Sequence, residues 1–185
     1  MNPLSLIQRL KNKVKIKGSN NQIIIDDKKS LKISNTKIYI KGQNNKLHIK
    51  SDVKIRDTFI EIVGDDCSIT IGSSATIGHD CYLSAKESDI HLHIGDNCML
   101  SRNAKLMTSD GHPIYINDEV INSAKSIIIQ DNVWVADNVT ILKGIEVGAN
   151  SVIGIDSVLT KSIPEHSIAA GNPAKVIKEG IRWEH

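Results

Sequence analysis

Residues 129–160 read IQDNVW VADNVT ILKGIE VGANSV IGIDSV LT. An aliphatic residue leads every sextet: Ile129, Val135, Ile141, Val147, Ile153 and Leu159. The residue after the leader is often small (Ala136, Gly148, Gly154, Thr160), and the fourth after it is small or aliphatic (Val133, Val139, Ile145, Ser151, Ser157, Ile163). A strand alternates with period two and a helix repeats near about 3.6 residues, so neither alone gives six. A short strand followed by a corner does. Three such units close a triangular coil, the leader fills the axis, and the small residue lets the chain turn. Stacked coils pair every strand with the ones above and below. The pattern predicts an all-β parallel β-helix.

The same frame extends towards the N-terminus. Val63, Ile71, Ile77 and Leu83 lead sextets, as do Ile94, Leu100 and Leu106. Cys67, Cys81 and Cys98 each stand four residues after a leader, the small inward place. They read as buried, reduced thiols acting as small hydrophobes. Their spacing matches no metal motif. Further back the repeat lengthens. GSNNQIII from Gly18, GQNNKLHI from Gly42 and GDDCSITI from Gly64 are versions of one phrase, separated by alternating strands and Asn/Asp/Gly turns. Spacings of 24 and 22 residues predict looser coils with short loops bulging from the corners. Residues 3–12 place Leu4, Ile7 and Leu10 on one side of a short amphipathic helix, a cap for the open end of the core.

Only 3% of the 185 residues are aromatic while 40% are hydrophobic, so the core consists of many similar aliphatic layers in one elongated domain. Its expected division is an N-terminal cap (1–17), looser basic coils (18–62), sextet coils (63–164) and a C-terminal tail (165–185). Charge is unevenly spread. Residues 1–56 hold 14 Lys/Arg against 3 Asp/Glu, a net +11; residues 57–185 hold 9 against 18, a net −9. The basic end suits an anionic partner or, alternatively, lysines that protect exposed strands from edge pairing. The first ten residues lack the apolar run of a signal peptide or membrane span, so a cytoplasmic protein is expected, with membrane-surface association left open. No nucleic-acid partner is expected.

The sextets break between Leu106 and Ile127, and a loop over residues 107–126 intervenes. Loops on rigid scaffolds concentrate function. This one carries His112 between Gly111 and Pro113, two residues that restrict where the chain can place the imidazole. An imidazole can take a proton from a hydroxyl at neutral pH. Asp110 is a candidate to orient that ring, or simply a turn-forming Asp before Gly111. His91 and His93 lie two apart on one strand face without an evident third ligand, so no metal site is expected.

TSDGHPI from Thr108, DNVWVA from Asp131, VIGIDSVLTKSIP from Val152 and AAGNPAKVI from Ala169 resemble the hexapeptide-repeat acyltransferases, in the branch holding galactoside, maltose and other sugar or polysaccharide O-acetyltransferases. The resemblance covers residues 63–178 strongly. It implies a left-handed β-helix, a homotrimer with sites between subunits, and acetyl-CoA as cosubstrate. It also implies His112 as the general base in direct attack of an acceptor hydroxyl on the thioester. Trp134, Ala136, Gly154, Thr160 and Lys161 fall where the family contacts the pantetheine arm, and Lys175 and Lys178 where it holds the CoA phosphates. Trp134 either covers the reacting groups, a catalytic role, or packs between subunits. Cys81 or Tyr82 stands where galactoside-binding relatives have an Asn, so their acceptor specificity is not carried over; Asp89 lies near their acceptor-binding Asp.

The resulting expectation is an O-acetyltransferase for a saccharide, with the basic N-terminal coils pointing to an acidic surface or capsular polysaccharide containing sialic or uronic acid. The alternatives are an acyltransferase for an amino sugar or serine, and a glycan-binding β-helix without catalysis.

Overall fold

The computed structural model describes residues 12–184. They form an all-β solenoid, wound coil by coil around three flat faces. The first coil is β1 (Lys13–Lys17), β2 (Gln22–Ile25) and β3 (Lys32–Ser34); the second is β4 (Lys37–Lys41), β5 (Lys46–Ile49) and β6 (Lys54–Arg56). The third is β7 (Phe59–Asp65), β8 (Ser68–Ile71) and β9 (Thr76–Ile77); the fourth is β10 (Tyr82–Ser88), β11 (His91–Ile94) and β12 (Met99–Leu100). The fifth opens with β13 (Lys105–Met107), makes an outlying hairpin of β14 (Tyr115–Ile116) and β15 (Glu119–Val120), and resumes with β16 (Ile127–Ile129) and β17 (Trp134–Val135). Then follow β18 (Thr140–Ile141), β19 (Glu146–Val147) and β20 (Val152–Ile153), and finally β21 (Val158–Leu159), β22 (Ser167–Gly171) and β23 (Ala174–Glu179). The solenoid is a left-handed parallel β-helix.

Parallel register stacks like on like. On the first face Ile38, Ile60, Leu83, Leu106, Ile141 and Leu159 form one column. On the second, Ile25, Ile49, Ile71, Ile94, Ile129 and Val147 do the same. The third runs through Ile33, Ile55, Ile77, Leu100, Val135, Ile153 and Ala169. Every sextet leader from Ile129 to Leu159 is fully buried. Each buried side chain of this size contributes about 1.5–3 kcal/mol relative to exposure.

The corners explain the small residues. A Cβ on Gly148 would lie 2.3 Å from the backbone nitrogen of Glu165, so the next coil can pass only over a glycine. Asn and Asp occupy left-handed backbone at many corners, including Asn20, Asn44, Asp66, Asn132, Asn138, Asn150 and Asp156, which these residues tolerate best after glycine. They also bond to one another between coils: Asn44 Nδ2 donates to Asp66 Oδ1 at 3.0 Å and Asn132 Nδ2 to Asn150 Oδ1 at 2.9 Å. The three cysteines are buried free thiols; the sextet frame accounts for Cys81 and Cys98, while Cys67 is buried without Val63 as its leader. Cys81 Sγ and Cys98 Sγ donate to Ser101 O and Gln130 O on the next coil, each at 3.0 Å. Burial pushes Cys67 up, Cys81 up to about 11 and Cys98 up to about 12.

Three expectations need correction. Val63 is half-buried and leads nothing; Ile60 and Ile62 fill the axis there, because β7 runs straight and alternation carries its even-numbered residues inward. The first coils are not loose. Their strands pair in continuous register, and most of the extra residues lengthen the rungs. β1 and β4 have 5 residues and β18 has 2. Third, Lys13–Lys17, read as part of a cap, is a rung of the first face, and the tail adds β22 in parallel and β23 in antiparallel. The helix expected over residues 3–12 lies, but for Asn12, outside the described residues. No helix among the described residues is long and apolar enough to cross a membrane.

Candidate active site

The loop at 107–126 leaves the corner between the first and second faces. Its base is closed by Lys125 N donating to Thr108 O at 3.0 Å. Inside it, Asn122 braces the turn that carries His112. The Asn122 amide donates to His112 O and to Asp110 Oδ2, both at 2.9 Å, and its Oδ1 accepts from Ile114 N at 2.6 Å. Lys143 reaches up from the next coil to Asp110 Oδ2 at 2.5 Å and to Asn122 O. The Lys143 ammonium, helped by Asn122, holds the Asp110 carboxyl below the usual carboxylate value. Asp110 therefore fixes the loop to the coil beneath; its recorded partners do not include the His112 ring.

His112 is exposed and lines an open cleft of about 410 Å³ with Glu87, Gly111, Pro113, Val120, Asn122 and Ser123. Glu87 was missed from sequence and is the cleft's one carboxylate. Its Oε1 accepts from Ser109 Oγ at 2.8 Å and its Oε2 from Ala124 N at 3.1 Å, so one side chain holds both legs of the loop. Its backbone φ is +81°, and it stacks in register on Gly64, where a Cβ would lie 1.4 Å from Glu87 O. Gly18, Gly42 and Gly64 occupy this corner in the three preceding coils, all at positive φ. A fourth copy of the phrase, ESDIHLHI from Glu87, puts a glutamate where the others have glycine. That substitution was the available signal. A charged side chain held in glycine's conformation is strain of the kind found at functional sites.

The remaining candidates lie elsewhere. Trp134 projects from β17 on the third face, donates Nε1–H to Ser101 Oγ at 3.2 Å, and meets the Trp183 ring at 6.0 Å. With Ala136, Asp137, Val152, Gly154 and Ile155 it lines a second, largely apolar cleft of about 340 Å³. Thr160 and Lys161 are exposed just beyond β21, and Lys175 and Lys178 are exposed on β23. The clefts of His112 and Trp134 share no residue; a single chain does not bring the two groups together. Of the other histidines, His48 and His79 each bond an aspartate, Asp26 and Asp57, on the coil before.

A solenoid of sextets with one braced histidine loop defines a class, and comparison with known proteins agrees. No protein-family model matches the chain. The polysialic acid O-acetyltransferase of Neisseria meningitidis is 37% identical over 90% of this chain and 76% of its own. The galactoside O-acetyltransferase of Escherichia coli K12 is 34% identical over 70% of each. The chain therefore belongs to the hexapeptide-repeat O-acetyltransferase family. It is also 39% identical to the polysialic acid O-acetyltransferase of Escherichia coli O1:K1, over 74% of this chain and only 44% of that protein. Among solved structures, the polySia specific acetyltransferase NeuO superposes with a TM-score of 0.79 at 36% identity, covering 95% of this chain and 89% of that one.

Proposed function

We propose that this protein transfers the acetyl group of acetyl-CoA to a hydroxyl of an acidic polysaccharide, with His112 as general base. The observation that carries this reading is the braced loop: Asn122, Glu87, Asp110 and Lys143 together hold His112 over an open cleft on an acetyltransferase scaffold. The His112 imidazole takes the proton of the acceptor hydroxyl as its oxygen attacks the thioester carbonyl. The tetrahedral intermediate collapses, the C–S bond breaks, and CoA leaves as a thiolate that takes the proton from the imidazolium.

The relatives named for polysialic acid support a polymeric, anionic acceptor, and the net +11 over residues 1–56 supports the same sign of charge. The second cleft suits the pantetheine arm, with Trp134, Ala136 and Gly154 along it, Thr160 and Lys161 beyond, and Lys175 and Lys178 as point charges for CoA phosphates. Assembly as a homotrimer would set the His112 cleft of one copy beside the Trp134 cleft of the next. The exposed Ile114, Tyr115, Ile116, Val120 and Ile121 of the hairpin region offer apolar surface for that contact. The deciding experiment is thiol release from acetyl-CoA with polysialic acid, polygalacturonate and a neutral dextran as acceptors, comparing wild type with His112→Ala. Transfer to an acidic polymer that the variant loses supports the reading. Transfer that survives the substitution removes His112 as base, and preference for dextran removes the acidic acceptor.

A further inference from the structure

The basic N-terminal half does not spread its lysines evenly. Along β1, β4, β7 and β10, six lysines meet three acids, Glu61, Asp65 and Glu87, and the last two stand at the corner beyond the lysine rows. Lys13 stacks directly on Lys37 and Lys17 on Lys41, one strand spacing of about 4.8 Å apart. Like charges stacked in this way destabilise a sheet. No carboxylate among the described residues forms an ion pair with these four. Edge protection does not explain Lys37 and Lys41, because β4 is an interior strand paired on both sides; of the two strands, only β1 lies at the sheet edge. These acids are already engaged: Glu61 pairs with Lys86 at 2.9 Å and accepts from the Tyr82 hydroxyl at 2.5 Å, Asp65 accepts from Gln43 N, and Glu87 holds the His112 loop.

The same face gathers half of the chain's few aromatic rings. Three of its six aromatic residues, Tyr39, Phe59 and Tyr82, lie half-buried here. Phe59 and Tyr82 stack at 5.5 Å with 28° between their planes, and Lys15 lies 5.9 Å above the Tyr39 ring. Half-buried aromatic rings offer apolar contact to a pyranose, and the lysines beside them match its carboxylate. The row also leads somewhere. Lys17, Lys41 and Lys86 share one column, and Lys86 N donates to Thr108 Oγ1 at 3.1 Å, at the foot of the His112 loop.

We propose that the outer face of β1, β4, β7 and β10 is a docking track for an extended acidic polysaccharide, which feeds successive sugars to the His112 cleft. The proposal rests on the acidic-acceptor reading above. The carboxylates relieve the repulsion between stacked lysines, and the aromatic rings offer the sugars apolar contact.

The test uses the full chain and a triple variant, Lys13→Gln/Lys17→Gln/Lys41→Gln, all at exposed positions. The first measurement is direct: binding of fluorescently labelled long-chain polysialic acid, without acetyl-CoA, over a range of salt. The expected result is affinity about tenfold weaker in the variant, with a flatter salt dependence. The second is kinetic: KM for polysialic acid rises by a similar factor while KM for acetyl-CoA, whose proposed contacts lie on the later coils, stays. A second variant, Tyr39→Ala/Phe59→Ala, weakens binding without changing its salt dependence. Binding and polymer KM both unaltered by the lysine changes overturn the track, even if acetyl transfer is robust. Salt-sensitive binding lost in the variant, from a protein that transfers no acetyl group, supports the track while sinking the transferase reading.

Discussion

The first coils and the last are one fold at two widths. Between corner residues Asn20 and Asn44 the chain takes 24 residues to come round; between Asn132 and Asn150 it takes 18. The inward columns do not notice the change: aliphatic residues continue unbroken from Ile38 to Leu159. The outside does. A five-residue rung such as Lys37–Lys41 presents Lys37, Tyr39 and Lys41 outward, whereas Thr140–Ile141 presents only Thr140. Wide coils therefore present rows of outward side chains, and narrow coils present few. Core packing and ligand surface are set by different residues of the same strand.

The sharpest way to separate the two regions is His112→Ala. Acetyl transfer falls about 10²–10⁴-fold with unchanged circular dichroism, and a smaller loss moves the chemistry away from the loop. The next test asks whether both widths share one core. Ile60→Ala in a wide coil and Ile141→Ala in a narrow one each cost about 2–5 kcal/mol in denaturant unfolding. A large difference between them breaks the equivalence of the columns.

Glu87→Gly restores at the fourth coil what the first three have. Stability holds or rises by up to about 1 kcal/mol as backbone strain is relieved, while activity falls because both loop legs lose their anchor. Stability and activity falling together would make Glu87 merely structural. The Asp110–Lys143 tie has a defined pH window. The folded carboxyl titrates below its ordinary 3.8, so the tie is fully present above that value and is lost as pH falls through the lowered one. Amide exchange in the loop, corrected for intrinsic rates, keeps constant protection from pH 7 to 5; loss near neutrality assigns the loop's order to another group. The smallest effect is chemical silence. Thiols pushed up to about 11 and about 12 stay unmodified by iodoacetamide at pH 7 until the chain unfolds, and rapid alkylation of Cys81 or Cys98 contradicts their burial.

The narrow coils were legible because each sextet has a single solution: one leader in, one corner, one small residue. The wide ones are harder, since a strand of five or seven residues has two inward places, and the sextet pattern lands on Val63 beside the residues that fill the axis, Ile60 and Ile62. His112 stood out because it interrupts a repeat. The residues that hold it did not: Asn122 and Lys143 act across 10 and 33 residues respectively, beyond the reach of local pattern. Glu87 was readable as a broken copy of a glycine phrase, but only after the register had been fixed. The separation of His112 from Trp134 on different faces follows from how many corners lie between them, a count the loop obscures.

The terminal strand has a consequence for length. β23 runs back against β22 in antiparallel, so the third face ends on a strand whose direction no further parallel rung continues. Growth at that end is arrested, yet everywhere below it each junction joins the same aliphatic triplet to the next. Between Thr140 and Ser157 lies one such interchangeable module. Its duplication leaves both cut surfaces matched and moves the C-terminal hairpin by one notch of about 4.8 Å relative to the His112 loop, whereas its excision also removes Lys143, the tie beneath that loop. The molecule behaves as a ruler, and the distance from the His112 loop to the C-terminal hairpin comes in whole notches.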